Sequence, residues 1–256
     1  MKIARALLLV LPLLAAGCAT PQEAPRPVAA LPPPAAEPIA QHRTTTPALR
    51  TDGDAPQRHK RIVAAASKGG YEIVFLGASI VERWESVGRE RWDAVWLPRH
   101  AINCGIGGDR TQHVLWRLDD GLLEALANDR NSIRWIVLNI GSNNTDVDSA
   151  KEIAAGTEAI LSKLHTRLPN ARVVLTMLPR ERNSNVPIRR RMLELLNILT
   201  LDLAQPEWSW VTVLDLWPQM LAGDGSTIPP ELMPDAVHPS AAGYVIWSKE
   251  LERVMR

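Results

Sequence analysis

Short apolar runs alternate with amphipathic stretches from Tyr71 to the C-terminus. Five runs are nearly continuous, which is typical of strands covered on both faces; they are residues 71–76, 100–104, 133–140, 172–177 and 211–216. Between them, apolar residues recur at helical spacing, as in residues 188–203. Strands that alternate with helices predict a five-stranded parallel sheet with right-handed crossovers, and therefore a three-layer α/β/α sandwich.

Three helix starts are marked by local chemistry. Ser149 and Glu152 have the spacing of a capping box. Pro187 suits the first turn of the next helix, and Ser240 is a candidate N-cap for the last one.

The N-terminal segment has the pattern of an export signal. Two basic residues precede an apolar run over residues 6–16, which is too short for a transmembrane helix of ~20 residues. Residues 14–18 (LAAGC) resemble a bacterial lipobox, with lipidation at Cys18; ordinary signal cleavage without lipidation is the alternative. We predict a signal peptide over residues 1–17. Because Ala19 rather than Asp follows the cysteine, we predict an exported lipoprotein of the outer membrane, facing the periplasm or the cell surface.

A proline-rich and alanine-rich segment follows. Residues 18–58 contain nine prolines and no aromatic residue, so they have little to bury against the entropy of ordering. We predict a lipid-anchored, semi-rigid tether there. All twelve aromatic residues lie at Tyr71 or later, and we predict a catalytic domain over residues 59–256.

Composition excludes several classes of partner and cofactor. Of the 256 residues 46% are apolar and 22% charged, an ordinary globular balance. Lys and Arg number 29 against 28 Asp and Glu, so no basic excess points to nucleic acid. Two cysteines make no disulfide framework, and the histidines lack zinc-ligand spacing. We therefore predict no metal and no cofactor.

Four polar loops fall beyond the predicted strands, at the edge where ligands bind in open parallel sheets. They are residues 77–79 (GAS), 103–109 (NCGIGGD), 141–144 (GSNN) and 235–238 (DAVH). Taken singly, each has an ordinary explanation: a helix N-cap at Ser79, a tight turn capped by Asp109, a turn at Asn143 and a solvent-side loop histidine.

Taken together, the loops point to acyl transfer. Ser79 is a candidate nucleophile, His238 a candidate base and Asp235 a candidate orienting acid. The glycines of the second loop and the Asn143 side chain are candidate donors to a tetrahedral oxyanion. No other metal-free reaction class needs this set.

In order, the four loops resemble the blocks of the SGNH (GDSL-type) hydrolases. Residues 105–118 (GIGGDRTQHVLWRL) look most similar to the catalytic subunits of intracellular platelet-activating-factor acetylhydrolase, and LPR at 178–180 and MPD at 233–235 agree. The resemblance implies a flavodoxin-like sheet of order 2-1-3-4-5, and the dimers of those subunits leave a homodimer open. It also implies site roles: nucleophile Ser79, the Asp235–His238 pair, and an oxyanion hole of Gly108 N–H, the Asn143 side chain and Ser79 N–H.

One position departs from the family pattern. Its first block is usually Gly-Asp-Ser, and here Ala78 replaces the Asp, which in the family braces the nucleophile loop. The departure bears on rate and loop rigidity more than on reaction type.

We predict a metal-independent serine esterase that cleaves short acyl esters, chiefly acetyl esters of carbohydrate. A lysophospholipase or phospholipid acetylhydrolase is the alternative substrate class. A degenerate, non-catalytic glycan-binding lipoprotein is the alternative from another class.

The remaining notable side chains are interpreted as structural: the tryptophans at 84, 92, 96 and 116 as core rather than a sugar platform, Cys104 as a buried hydrophobe, and Arg180 and Arg182 as rim or solvated loop.

Overall fold

The computed structural model describes residues 42–128, 132–181 and 186–256. Five parallel strands form one sheet in the order β2-β1-β3-β4-β5. The strands are β1 Ile73–Gly77, β2 Ala101–Gly105, β3 Trp135–Asn139, β4 Arg172–Met177 and β5 Val211–Asp215. The predicted sheet and its order are confirmed. The predicted signal peptide and Cys18 lie outside the described residues.

Nine α-helical segments lie before, between and after the strands in the described part of the chain. They are α1 Ala55–Ala66, α2 Ser79–Glu82, α3 Arg89–Arg91, α4 Thr111–Arg117, α5 Leu123–Ala127, α6 Ala150–Arg167, α7 Val186–Asp202, α8 Trp217–Met220 and α9 Ala241–Val254, with short 3₁₀ and π turns between some of them. Both hydrogen bonds of the predicted capping box form: the Ser149 side chain accepts from Glu152 N, and the Glu152 side chain accepts from Ser149 N. Ser240 caps α9 by accepting a hydrogen bond from Gly243 N at 3.2 Å.

The helices pack in two layers, one on each face of the sheet. Successive β1 residues alternate between the layers, since side chains alternate across a strand: Val74 and Leu76 face one core, and Ile73 and Phe75 the other. The first core is mainly aliphatic, with Trp217 as a buried aromatic member, and is closed by α1, α4, α5, α6 and α7. The second is aromatic and includes buried tryptophans together with Tyr244 of α9. The three-layer sandwich predicted from the sequence is therefore confirmed.

The folded chain begins N-terminal to the predicted domain boundary at His59. Thr44 Oγ1 donates to Glu152 O at 2.7 Å, and Ala48 N donates to Gln112 O at 3.0 Å. The described part of the predicted tether thus packs on the domain through hydrogen bonds and ion pairs. Such contacts need no apolar run, which is why composition places the boundary too late.

No helix in the described ranges combines the length and apolar character needed to cross a membrane.

Candidate active site

Ser79, His238 and Asp235 form a continuous hydrogen-bonded chain. Ser79 Oγ lies 2.8 Å from His238 Nε2, and His238 Nδ1 lies 2.6 Å from Asp235 Oδ2. A neutral histidine that accepts from serine through Nε2 carries its proton on Nδ1, the nitrogen that faces the carboxylate. The structure therefore brings together three predicted residues from loops 159 positions apart.

Ser79 is presented by the abrupt change from β1 to α2. Strand β1 ends at Gly77, and Ser79 is the first residue of α2, so its N–H has no acceptor inside the helix. The helix lies directly on the end of β2: a Cβ on Gly105 would stand 2.3 Å from Glu82 N. Glycine at 105 is thus what allows α2, the helix that carries Ser79, to approach the sheet this closely.

The Asp235–His238 loop fixes the carboxylate on its own backbone. Asp235 Oδ1 accepts from Val237 N at 3.0 Å and from His238 N at 2.7 Å, while Oδ2 faces the imidazole. Partial burial raises the pKa of Asp235, but the hydrogen bonds from the His238 ring and these two N–H groups outweigh it, so its pKa falls below the ordinary value. Asp235 is therefore an ionised acceptor at neutral pH.

The glycine-rich loop lies against the nucleophile. A Cβ on Gly107 would stand 3.7 Å from Ser79 Cβ. Gly107 N donates to Glu82 Oε2 at 2.5 Å. Gly108 is exposed with φ +82°, a backbone conformation that glycine adopts without steric cost. Among the described residues its N–H is paired with no acceptor, as the predicted role of an oxyanion donor requires.

Asn143 is tied to the same loop by two reciprocal hydrogen bonds. Its Nδ2 donates to Asp109 O at 2.9 Å, and Arg110 Nε donates to Asn143 O at 3.0 Å. An amide nitrogen carries two hydrogens, so one remains after the bond to Asp109. The second and third predicted loops are thus joined through their side chains.

A buried ion-pair cluster lies behind the glycine-rich loop, and the sequence did not predict it. Asp109 is only 1% exposed, and its carboxylate lies 3.2 Å from Arg50 and 2.8 Å from Arg117. Burial raises the pKa of Asp109, and the two guanidinium groups oppose the rise. The interpretation of Asp109 as a helix cap is wrong: Arg110 is the N-cap of α4, and its N–H donates to His113 Nδ1 at 3.0 Å.

The other residues noted in the sequence have structural surroundings. Trp84, Trp92 and Trp96 are buried in the aromatic core, while Trp116 is half-buried. Cys104 is fully buried, and burial raises the pKa of its thiol to about 12. Arg180 is 4% exposed and donates to Ser142 O, beside Asn143, so it supports this loop from below the surface. Arg182 lies outside the described residues.

One group of side chains has the composition of a metal site. His42, Asp148 and Glu152 bring one ligand atom each within 4.8 Å of one another. However, Arg43 forms an ion pair with Asp148, and Glu152 Oε2 accepts from Ser149 at the start of α6. Because both carboxylates already have partners, we assign no metal to this group.

A parallel α/β/α sandwich that carries a Ser–His–Asp chain beyond its strands is typical of serine hydrolases. A profile of the GDSL-like Lipase/Acylhydrolase family matches residues 75–246. The chain is 37% identical, over 198 residues, to Platelet-activating factor acetylhydrolase IB subunit alpha1 from Homo sapiens, covering 77% of this chain and 80% of that protein. It therefore belongs to the GDSL-like lipase/acylhydrolase family and is an ester-hydrolysing enzyme, not the degenerate binding protein considered above.

Solved structures share the fold. A putative acylhydrolase from Bacteroides fragilis superposes with a TM-score of 0.64 at 20% identity, covering 80% of this chain and 98% of that one. An acetylxylan esterase from Geobacillus stearothermophilus superposes with a TM-score of 0.56 at 18% identity, covering 72% and 94%. At these identities the likeness concerns the fold alone.

Proposed function

We propose that this enzyme hydrolyses short-chain acyl esters, chiefly acetyl esters, through an acyl-enzyme on Ser79. The observation that carries the proposal is the hydrogen-bonded chain from Ser79 Oγ through His238 to Asp235. A serine hydroxyl is a weak nucleophile unless an adjacent base removes its proton, and here the base lies at hydrogen-bonding distance.

Each step follows from these positions. Ser79 Oγ attacks the ester carbonyl while His238 Nε2 takes its proton, and Asp235 stabilises the imidazolium. Gly108 N–H, Ser79 N–H and the free Asn143 Nδ2 hydrogen donate to the oxyanion. The tetrahedral intermediate expels the alcohol, which receives the proton from His238. Water, deprotonated by His238, then attacks the acyl-enzyme, and the acid leaves as Ser79 recovers its proton.

The acyl group is proposed to be small. In the long loop between α8 and Asp235 (residues 221–234), residues 223–227 (GDGST) are exposed and carry no apolar side chain apart from the Thr methyl group, so they offer no apolar wall for a fatty chain. One relative named above is an acetylhydrolase subunit, and one structural neighbour, similar in fold alone, is an acetylxylan esterase. We expect kcat/KM to be highest for acetyl and propionyl p-nitrophenyl esters and to fall steeply beyond butyryl, with Ser79→Ala as the inactive control. An optimum at C8 or longer would contradict a short pocket.

The alcohol is proposed to be carbohydrate. A lipoprotein exported through the predicted signal and Cys18 would meet O-acetylated glycans of the cell wall or the environment. The second candidate is a phospholipid carrying an acetyl ester, favoured by the identity to a platelet-activating-factor acetylhydrolase subunit. Acetate release from acetylated xylan, compared with a 2-acetyl phospholipid below its micelle concentration, separates the two. A higher kcat/KM on the lipid would replace the carbohydrate proposal.

A further inference from the structure

Gly107 is held at both ends by charged side chains. Its N–H donates to Glu82 Oε2 at 2.5 Å, and its C=O accepts from Arg50 Nη1 at 2.5 Å. Glu82 stands on the nucleophile helix, three residues after Ser79. Arg50 comes from the segment before α1, which the sequence assigned to the tether. The two contacts fix the orientation of the peptide groups on either side of Gly107.

The C=O that Arg50 contacts belongs to the same amide group as Gly108 N–H. A charge-assisted hydrogen bond to a carbonyl draws electron density away from the amide nitrogen, which strengthens its N–H as a donor. We propose that Arg50 is a positioning residue of the esterase: it aligns and polarises the Gly107–Gly108 peptide, so that Gly108 N–H holds the oxyanion more tightly. This inference rests on the proposed function, in which Gly108 is an oxyanion donor.

The guanidinium of Arg50 is itself well fixed. Its Nη1 lies 3.2 Å from Asp109 Oδ1, and its side chain is only 15% exposed. It also lies close to Gly108: a Cβ there would stand 3.1 Å from Nη1 and 3.2 Å from Nη2. Glycine at 108 therefore serves two purposes, the left-handed backbone and the close approach of the cation. The guanidinium group is planar and always charged, and here it is held by several contacts. Arginine therefore suits the role of a fixed positive charge beside the Gly107–Gly108 peptide better than lysine does.

The kinetic test compares Arg50→Ala and Arg50→Lys with Arg61→Ala in the full chain. Arg61 is a matched control because it is an exposed arginine of α1 whose ion-pair partner, among the residues that the structure describes, is the exposed Asp54. We expect kcat on p-nitrophenyl acetate to fall about 10-fold in Arg50→Ala with KM nearly unchanged, since loss of a whole oxyanion donor costs ~10²–10³. Arg50→Lys should lie between wild type and Arg50→Ala.

Chemical rescue separates polarisation from simple loss of structure. Guanidinium ion at millimolar concentration should restore part of kcat in Arg50→Ala, whereas sodium chloride at equal ionic strength should not. An unchanged kcat in Arg50→Ala, or a rise in KM with kcat preserved, would overturn the proposal.

A second measurement does not depend on turnover. The chain holds 15 glycines, so selective ¹⁵N-glycine labelling gives a simple amide spectrum in which Gly108 can be assigned. A polarised N–H resonates downfield, and we expect the Gly108 proton to move upfield in Arg50→Ala but not in Arg61→Ala. A Gly108 signal that does not move refutes the polarisation even if the wild type hydrolyses no ester. If the Gly108 signal moves while the wild type hydrolyses none of the esters tested, the proposed function is wrong, but the polarisation of the Gly107–Gly108 peptide by Arg50 is confirmed.

Discussion

The Asp235–His238 contact allows a prediction in which the more conservative substitution is the more damaging one. Two backbone N–H groups, from Val237 and His238, donate to Asp235 Oδ1. In Asp235→Asn these two N–H groups still need an acceptor, so the amide oxygen must take the Oδ1 position. The amide nitrogen then faces His238 Nδ1. The imidazole must then accept at Nδ1 and carry its proton on Nε2, where it can no longer accept the Ser79 proton.

The magnitudes follow from charge and exposure. A carboxylate and an imidazolium whose centres are about 4 Å apart attract by ~1 kcal/mol in water and ~4 kcal/mol near a protein surface. The Asp235 side chain is 52% exposed. An intermediate loss of ~2 kcal/mol corresponds to about 30-fold in rate for Asp235→Ala. In Asp235→Asn the hydrogen bond from the new amide to His238 Nδ1 must also be broken before the imidazole can act as the base. This step costs a further ~1–3 kcal/mol and brings the expected loss of rate to about 10³-fold.

The assay is kcat/KM on p-nitrophenyl acetate for both variants. Asp224→Asn is the matched control, because Asp224 lies in the same long loop and accepts from Ser226 N at 2.9 Å without contact to the site. Equal activity of the two Asp235 variants, or a faster Asn variant, would refute the tautomer argument. Since the pKa of Asp235 is lowered, its carboxylate is ionised at neutral pH. Its contribution to the free energy of unfolding is complete there and is lost only as pH falls through the lower folded-state pKa.

Three further predictions concern other parts of the chain. Asn143→Ala should lower kcat by ~10²–10³ with little change in KM; a raised KM at constant kcat would make Asn143 a substrate-binding residue. Trp84→Ala should lower the free energy of unfolding by ~3–5 kcal/mol in urea titrations, because Trp84 is fully buried, 4.5 Å from the ring of Tyr244. Cys18→Ser should move the protein from the membrane to the soluble fraction without changing its specific activity; unchanged fractionation would show that Cys18 is not the anchor.

The sheet was predictable because its signals are local. Near-continuous apolar runs mark all five strands, and β4 begins and ends where the sequence predicts. The clustering of the candidate site residues was predictable because parallel strands end at one edge, so polar loops far apart in sequence had to meet there. The alternation of strands and helices carries this information without knowledge of any tertiary contact.

The supports of the site were not predictable in the same way. Arg50 contacts a backbone carbonyl, Gly107 O, and a buried carboxylate, that of Asp109. Neither contact produces a periodic pattern in the sequence. Its segment also lacks aromatic residues, so composition assigns it to the tether. Glu82 offered the one usable signal, a carboxylate one helical turn after the nucleophile, but its partner is a backbone N–H that only the folded loop brings near.

The departure at Ala78 can be understood through these supports. Ala78 is buried and has no polar side chain with which to brace the loop. The adjacent backbone is held from β2 and α4 instead: Asn103 Nδ2 donates to Val81 O at 2.9 Å, and Arg117 donates to Gly77 O at 3.3 Å. Charge-assisted and buried hydrogen bonds of this kind are strong because water does not compete for them. The loop therefore keeps Ser79 in contact with His238 without the usual Asp.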